Sequence, residues 1–224
     1  MLSNLIVGAQ KQGDGAVVIQ RAGYQGDTIF SNLHGKFHET AVRGNLYTFG
    51  ISDTSIAAAN CFAVQTGSSA QPVIGLYNPP GSGLICSILF MSIIETTLIN
   101  NAVNPGGFIW LYSIGNLAVT AGSSPINIRT LSTTATTTKA FAMSTALSGL
   151  TNALALLRPT GHGGLNAVAE ATAISKPQTG TLEVVEGSIL VPPACVIAVM
   201  AQVDASATAM KLSSSIHWEE FPLT

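Results

Sequence analysis

The chain has 224 residues, 47% hydrophobic and only 9% charged, with a net charge of −2 and a mean hydropathy of +0.43. An ordinary globular chain is about 25% charged, so much of this one's surface is expected to be buried against other subunits, whose interfaces are depleted in charge. Lys and Arg nowhere cluster to neutralise phosphates, which argues against nucleic acid as a partner, and the longest apolar run, Leu84 to Ile94, is about half the ~20 residues that a membrane helix needs.

Taken in order, residues 1–27 are short apolar pieces cut by glycines, with Ala16–Gln20 read as a strand and residues 1–15 as an N-terminal arm that docks on a neighbour. Met1–Gly8 lacks a positive n-region and a long apolar run, so no secretory leader is expected there. Gly35 lies in a β-like stretch, and Arg43-Gly44-Asn45 is the turn before Tyr47, Phe49 and Ile51, which alternate with smaller residues at strand period. The alanines 57–59 allow one helical turn, and Cys61–Gln65 reads as β. Val73–Tyr77 is a strand closed by the turn signal Asn78-Pro-Pro-Gly-Ser-Gly. Leu84–Ile99 is the most apolar strand, too long to run without a bulge or bend, and Phe108–Ile114 is aromatic and β-rich.

The threonine-rich tract 130–139 suits a surface loop or sheet edge. Over residues 140–158 two readings compete. Leu147, Leu150, Leu154 and Leu157 fit helical spacing, whereas Gly149 and the β surroundings favour strands. Residues 159–180 are loop-rich. Thr181–Thr224 supplies two or three closing antiparallel strands. In the last, Met210, Leu212, Ser214, Ile216 and Trp218 share one face, expected inward, and Ala209, Lys211, Ser213, Ser215 and His217 the other. The fold expected is an all-β, two-sheet sandwich, with 1–224 as a single domain.

No chemical motif is convincing. His34 and His38 stand four apart beside Glu39 at a spacing that zinc sites use, with His162 or His217 as a possible third ligand. The Glu that a zincin carries directly after its first His is Gly35 here. Glu219 and Glu220 are adjacent, so on a strand they point to opposite faces and cannot flank one glycosidic bond; an exposed acidic strand end, or a partner for Arg or backbone N–H groups across an interface, is expected. Gly161-His-Gly-Gly only faintly resembles an oxyanion-hole loop, and there is no Gly-x-Ser-x-Gly elbow, phosphate loop or dinucleotide fingerprint. Cys61, Cys86 and Cys195 are odd in number and each sits in an apolar setting, the habit of buried free thiols in a reducing cytoplasm. Trp110 and Trp218 read as core or interface anchors. No catalytic, cofactor-binding or metal residue is assigned, and no enzyme activity is expected.

Three separated segments resemble small virion proteins of tailed bacteriophages: Gly35-Lys-Phe-His-Glu-Thr-Ala-Val-Arg-Gly-Asn-Leu-Tyr, Leu76-Tyr-Asn-Pro-Pro-Gly-Ser-Gly with the apolar strand after it, and Gly187-Ser-Ile-Leu-Val-Pro-Pro-Ala together with Ser215-Ile-His-Trp-Glu-Glu-Phe-Pro. The resemblance implies a jelly-roll-like sandwich that trimerises. It would sit on the capsid exterior as a decoration or cement protein, with the major capsid protein as partner and synthesis in the host cytoplasm. It carries over no functional residue. Related sandwiches in tails keep open a receptor- or glycan-binding module using Trp110, His162 or loop 100–107. A cupin-like metal enzyme using His34 and His38 is the third reading.

Overall fold

The structure, a computed structural model, describes residues 36–56, 72–97, 107–119, 122–134, 136–142, 149–160, 180–202 and 210–223. Its contacts divide the chain into residues 1–38 and residues 39–224, and the sandwich belongs to the second unit. The described strands are β1 (Leu46–Ile56), β2 (Ile74–Asn78), β3 (Leu84–Thr97), β4 (Gly107–Ser113), β5 (Ile126–Asn127), β6 (Lys139–Ala142), β7 (Ala155–Pro159), β8 (Gly180–Val191), β9 (Cys195–Gln202) and β10 (Met210–Pro222). They form two five-stranded sheets, β5-β1-β10-β3-β8 and β6-β2-β9-β4-β7, with every pairing antiparallel.

The wiring is that of a jelly roll. With β5 and β6 set aside, the first remaining strand pairs with the last (β1 with β10), and the pairs nest inward: β2 with β9, β3 with β8, β4 with β7. That is one long hairpin rolled up until β10 meets β3 and β9 meets β4. The all-β sandwich expected from the sequence is therefore present.

Period-2 patterning sets each strand's facing. Along β10, Leu212, Ser214, Ile216, Trp218 and Glu220 are buried while the residues between them are half-buried. Trp218 is fully enclosed and stacks on Tyr47 of β1, with ring centroids 6.0 Å apart. Ile74, Leu76, Ile88, Met91, Trp110, Val199 and Ile216 complete the core between the sheets. Ser214 donates to the Val73 carbonyl at 3.2 Å, and the Asn78 amide N–H groups donate to the carbonyls of Leu84 and Val191, while its Oδ1 is buried without a partner. β3 carries the irregularity its length demanded, at Leu89 between the registers of Ile88 and Phe90.

One expectation needs correction, and one open alternative is decided for the described residues. Where the sequence around Gly35 reads as β-like, the described residues from Lys36 on carry instead a short helix, α1 (His38–Arg43), closed by a Schellman turn. Gly44 has φ +81°, its N–H donates to Ala41 and that of Asn45 to Thr40. The helical spacing over 140–158 is not realised in its described part, where β6 and β7 flank an irregular segment at 149–154. Leu150 and Leu154 pack against the sheet from outside, and Leu147 lies outside the described residues. So do the arm 1–15, the Ala16–Gln20 strand and Cys61–Gln65.

Candidate interaction surface

The groups with chemical potential are dispersed and paired. His38 opens α1, His217 lies on the outer face of β10, and His34 and His162 lie outside the described residues, as does Gly161-His-Gly-Gly. Among the described residues no three His, Cys, Asp or Glu side chains come together as metal ligands would. His217 stacks on Phe90 at 4.0 Å and its Nε2 is 3.3 Å from the Thr48 hydroxyl. Burial holds its pKa below the usual 6.5.

Glu219 and Glu220 do point to opposite faces, but Glu220 is no exposed strand end. It is 5% exposed and accepts from Trp218 Nε1 at 3.0 Å and from the Thr136 hydroxyl at 2.9 Å. Inward parity forces it into the sandwich beside Cys86 and Tyr47. Cys86 is a free thiol whose pKa is pushed up to about 12 by burial and then by the Glu220 charge. Tyr47 is raised for the same two reasons. Cys195 is a half-buried free thiol, raised by burial. These thiols are therefore poor nucleophiles.

Trp110 is fully buried, so it offers no stacking face for a sugar. Its indole N–H donates to Glu183 Oε2 at 2.7 Å, and the other oxygen of Glu183 accepts from Arg158 at 2.7 Å. This cluster joins the edge strands of the two sheets, since β8 contributes Glu183 while β4 and β7 contribute Trp110 and Arg158. Loop 100–106 and His162 lie outside the described residues.

The surface that stands out is the β7–β8 side of the sandwich. On the outward positions of β8, Leu182, Val184 and Leu190 are 67%, 61% and 55% exposed. Ile94 of β3 and Leu157 of β7 are also exposed. Between the two edge strands a cavity of about 160 Å3 is lined by Tyr112, Leu157, Ile189, Leu190, Pro192 and Cys195, among others. Both edges are interrupted. Val185 to Ser188 of β8 face the single Leu89 of β3, with Glu186 and Gly187 both at positive φ, and β7 shifts register at Leu157. Such bulges discourage strand addition at an open edge. What remains for a partner is side chains rather than backbone.

The exposed parts of these apolar side chains sum to roughly 500 Å2, more than half of the ~800 Å2 per partner in a standard interface. At about 25 cal/mol per Å2 their burial would supply a gross term of about 12 kcal/mol, within the range of about 4–15 kcal/mol that association costs.

The sequence reading missed Glu183, Arg158 and the β8 leucines. The available signal was the Thr181–Val191 pattern, apolar at both parities and broken by Glu186-Gly187. No protein-family model, curated protein or solved structure matches this chain.

Proposed function

We propose that this chain is a non-enzymatic virion structural protein, a decoration or cement protein that assembles as a homotrimer on the exterior of a tailed-phage capsid and stabilises it. Its partners are its own copies and the major capsid protein, and it is made in the host cytoplasm. The virion role rests on the resemblance of three segments noted above. The assembly role rests on one observation, the row Leu182, Val184 and Leu190 left open to solvent on an interrupted sheet edge. Large exposed apolar patches mark interaction sites, and low overall charge fits a chain whose surface is largely covered in use. Many symmetric copies on a lattice add avidity to a modest contact.

The test uses purified full-length chain and tailed-phage capsids stripped of their outer proteins. Saturable co-sedimentation with a rise in the capsid melting temperature is expected. Binding to a glycan array without capsid binding would overturn the reading in favour of a receptor-binding tail module.

A further inference from the structure

We propose that the first half of β8, residues 180–184, is a flap that pivots at the Glu186-Gly187 bulge and is latched shut by Glu183. The latch belongs to the single chain and needs no partner; only its bearing on association rests on the assembly reading above.

The two halves of β8 are held differently. From the bulge onward, Val185, Ile189 and Val191 are buried in the core between the sheets, and the Val191 carbonyl accepts from the Asn78 amide at 2.9 Å. Before it, Leu182 and Val184 are exposed while Thr181 and Glu183 are half-buried, so no side chain of residues 180–184 belongs to that core. β8 is an edge strand, and this half pairs on one side only, with residues 90–94 of β3. Its tie to the opposite sheet is the Glu183 carboxylate, which accepts from Trp110 Nε1 on β4 and from Arg158 on β7, both at 2.7 Å.

The bulge between the halves has the geometry of a hinge. Glu186 and Gly187 have φ of +51° and +79°, and the turn is braced by the Ser188 hydroxyl donating to the Val185 carbonyl at 2.8 Å. The ladder to β3 is broken there, so the first half can open without carrying the second with it. The latch itself sits near balance. The Arg158 and Glu183 side chains are 39% and 17% exposed, and Arg158 Nε is buried without a hydrogen-bond partner. Opening returns these groups and the Trp110 N–H to water, and hydration offsets much of the attraction that is lost. Leu182 and Val184 flank Glu183 in sequence, so the closed latch fixes where that apolar row stands, and a row already in place loses less entropy on docking.

The test is amide hydrogen exchange, read residue by residue by NMR, on the full-length chain carrying Leu182→Ser and Val184→Thr to remove the apolar row. On that parent Glu183→Ala breaks the latch, and circular dichroism checks folding. Glu183→Gln and Arg158→Met are the milder versions and decide the matter if the alanine variant does not fold. The β3-bonded amides of residues 180–184 are expected to exchange at least about tenfold faster, and those of residues 189–191 less than about twofold. Equal acceleration in both halves would make Glu183 a stabiliser of the whole sandwich, and no acceleration in the first would mean that the ladder alone holds it; either result overturns the latch. In the otherwise wild-type chain, Glu183→Gln should raise the concentration needed for the trimer mass by at least about tenfold. A trimer as tight as the wild type's overturns the part given to the latch in association. A monomeric wild type overturns the assembly reading and leaves the exchange result standing.

Discussion

β8 and β9 both carry apolar side chains on the face turned away from the core between the sheets, yet among the described residues only the face of β9 is covered by other segments. Behind β9, Val196, Ala198 and Met200 are buried beneath Val119, Leu150 and Leu154. The covering loops are pinned by Asn116, which is fully buried. Its Oδ1 accepts from Thr151 N–H at 2.9 Å, and its backbone carbonyl accepts from the Tyr77 hydroxyl. Behind β8 no described segment does the same for Leu182, Val184 and Leu190. Two-sided burial makes β9 part of the fold. One-sided burial leaves the outer face of β8 to contribute to association, because its apolar area is still in water.

Substitutions can break that contrast, and the largest effects belong to the interior. Trp218→Ala removes a fully buried ring stacked on Tyr47 and is expected to cost about 3–5 kcal/mol in urea unfolding. A near-neutral result would mean that the inward face of β10 is misassigned.

Next comes an alkaline limb centred on Cys86. The folded thiol resists ionisation, so its contribution is intact below pH 9 and is lost progressively as the pH rises towards about 12. The loss is on the order of 4 kcal/mol at the far end. Thermal melts across that range should show it, and Cys86→Ala should flatten it. His217 gives a smaller acid limb. Its folded pKa is depressed, so stability is retained above pH 6.5 and falls as the pH drops below that value.

Glu220→Ala strands the donors of Trp218 and Thr136 and should cost about 1–3 kcal/mol, measured by the same unfolding. The smallest stability effect is expected at β8. Leu182→Ser with Val184→Thr should change the stability of the isolated chain by less than about 0.5 kcal/mol, as exposed sites usually do. It should nevertheless abolish the concentration dependence of the melting temperature expected for the wild type.

The difference between the two strands also explains what could be read in advance. β10 was legible because its inward positions, with the exception of Glu220, are apolar or small and its outward ones mostly polar, so one parity fits. The long apolar run 84–99 announced its bulge by length alone. β8 resisted because Leu182 and Val184 on one parity compete with Val185 and Ile189 on the other, and Glu183 points inward to meet Trp110 and Arg158 from distant strands. Glu220 was misread for the same reason: its partners Trp218 and Thr136 are brought to it only by folding. Helix α1 was missed because a six-residue helix has almost no periodic signal, and its stop depends on Gly44 reaching a positive φ. The outward leucines gave no warning either, because single strands do not say which sheet edge they will occupy.

Assembly through the open face of β8 is tested most directly by the molar mass of the purified full-length chain, followed by light scattering through the micromolar range. A particle of three chains is the predicted result. The mass of a single chain throughout that range would contradict it.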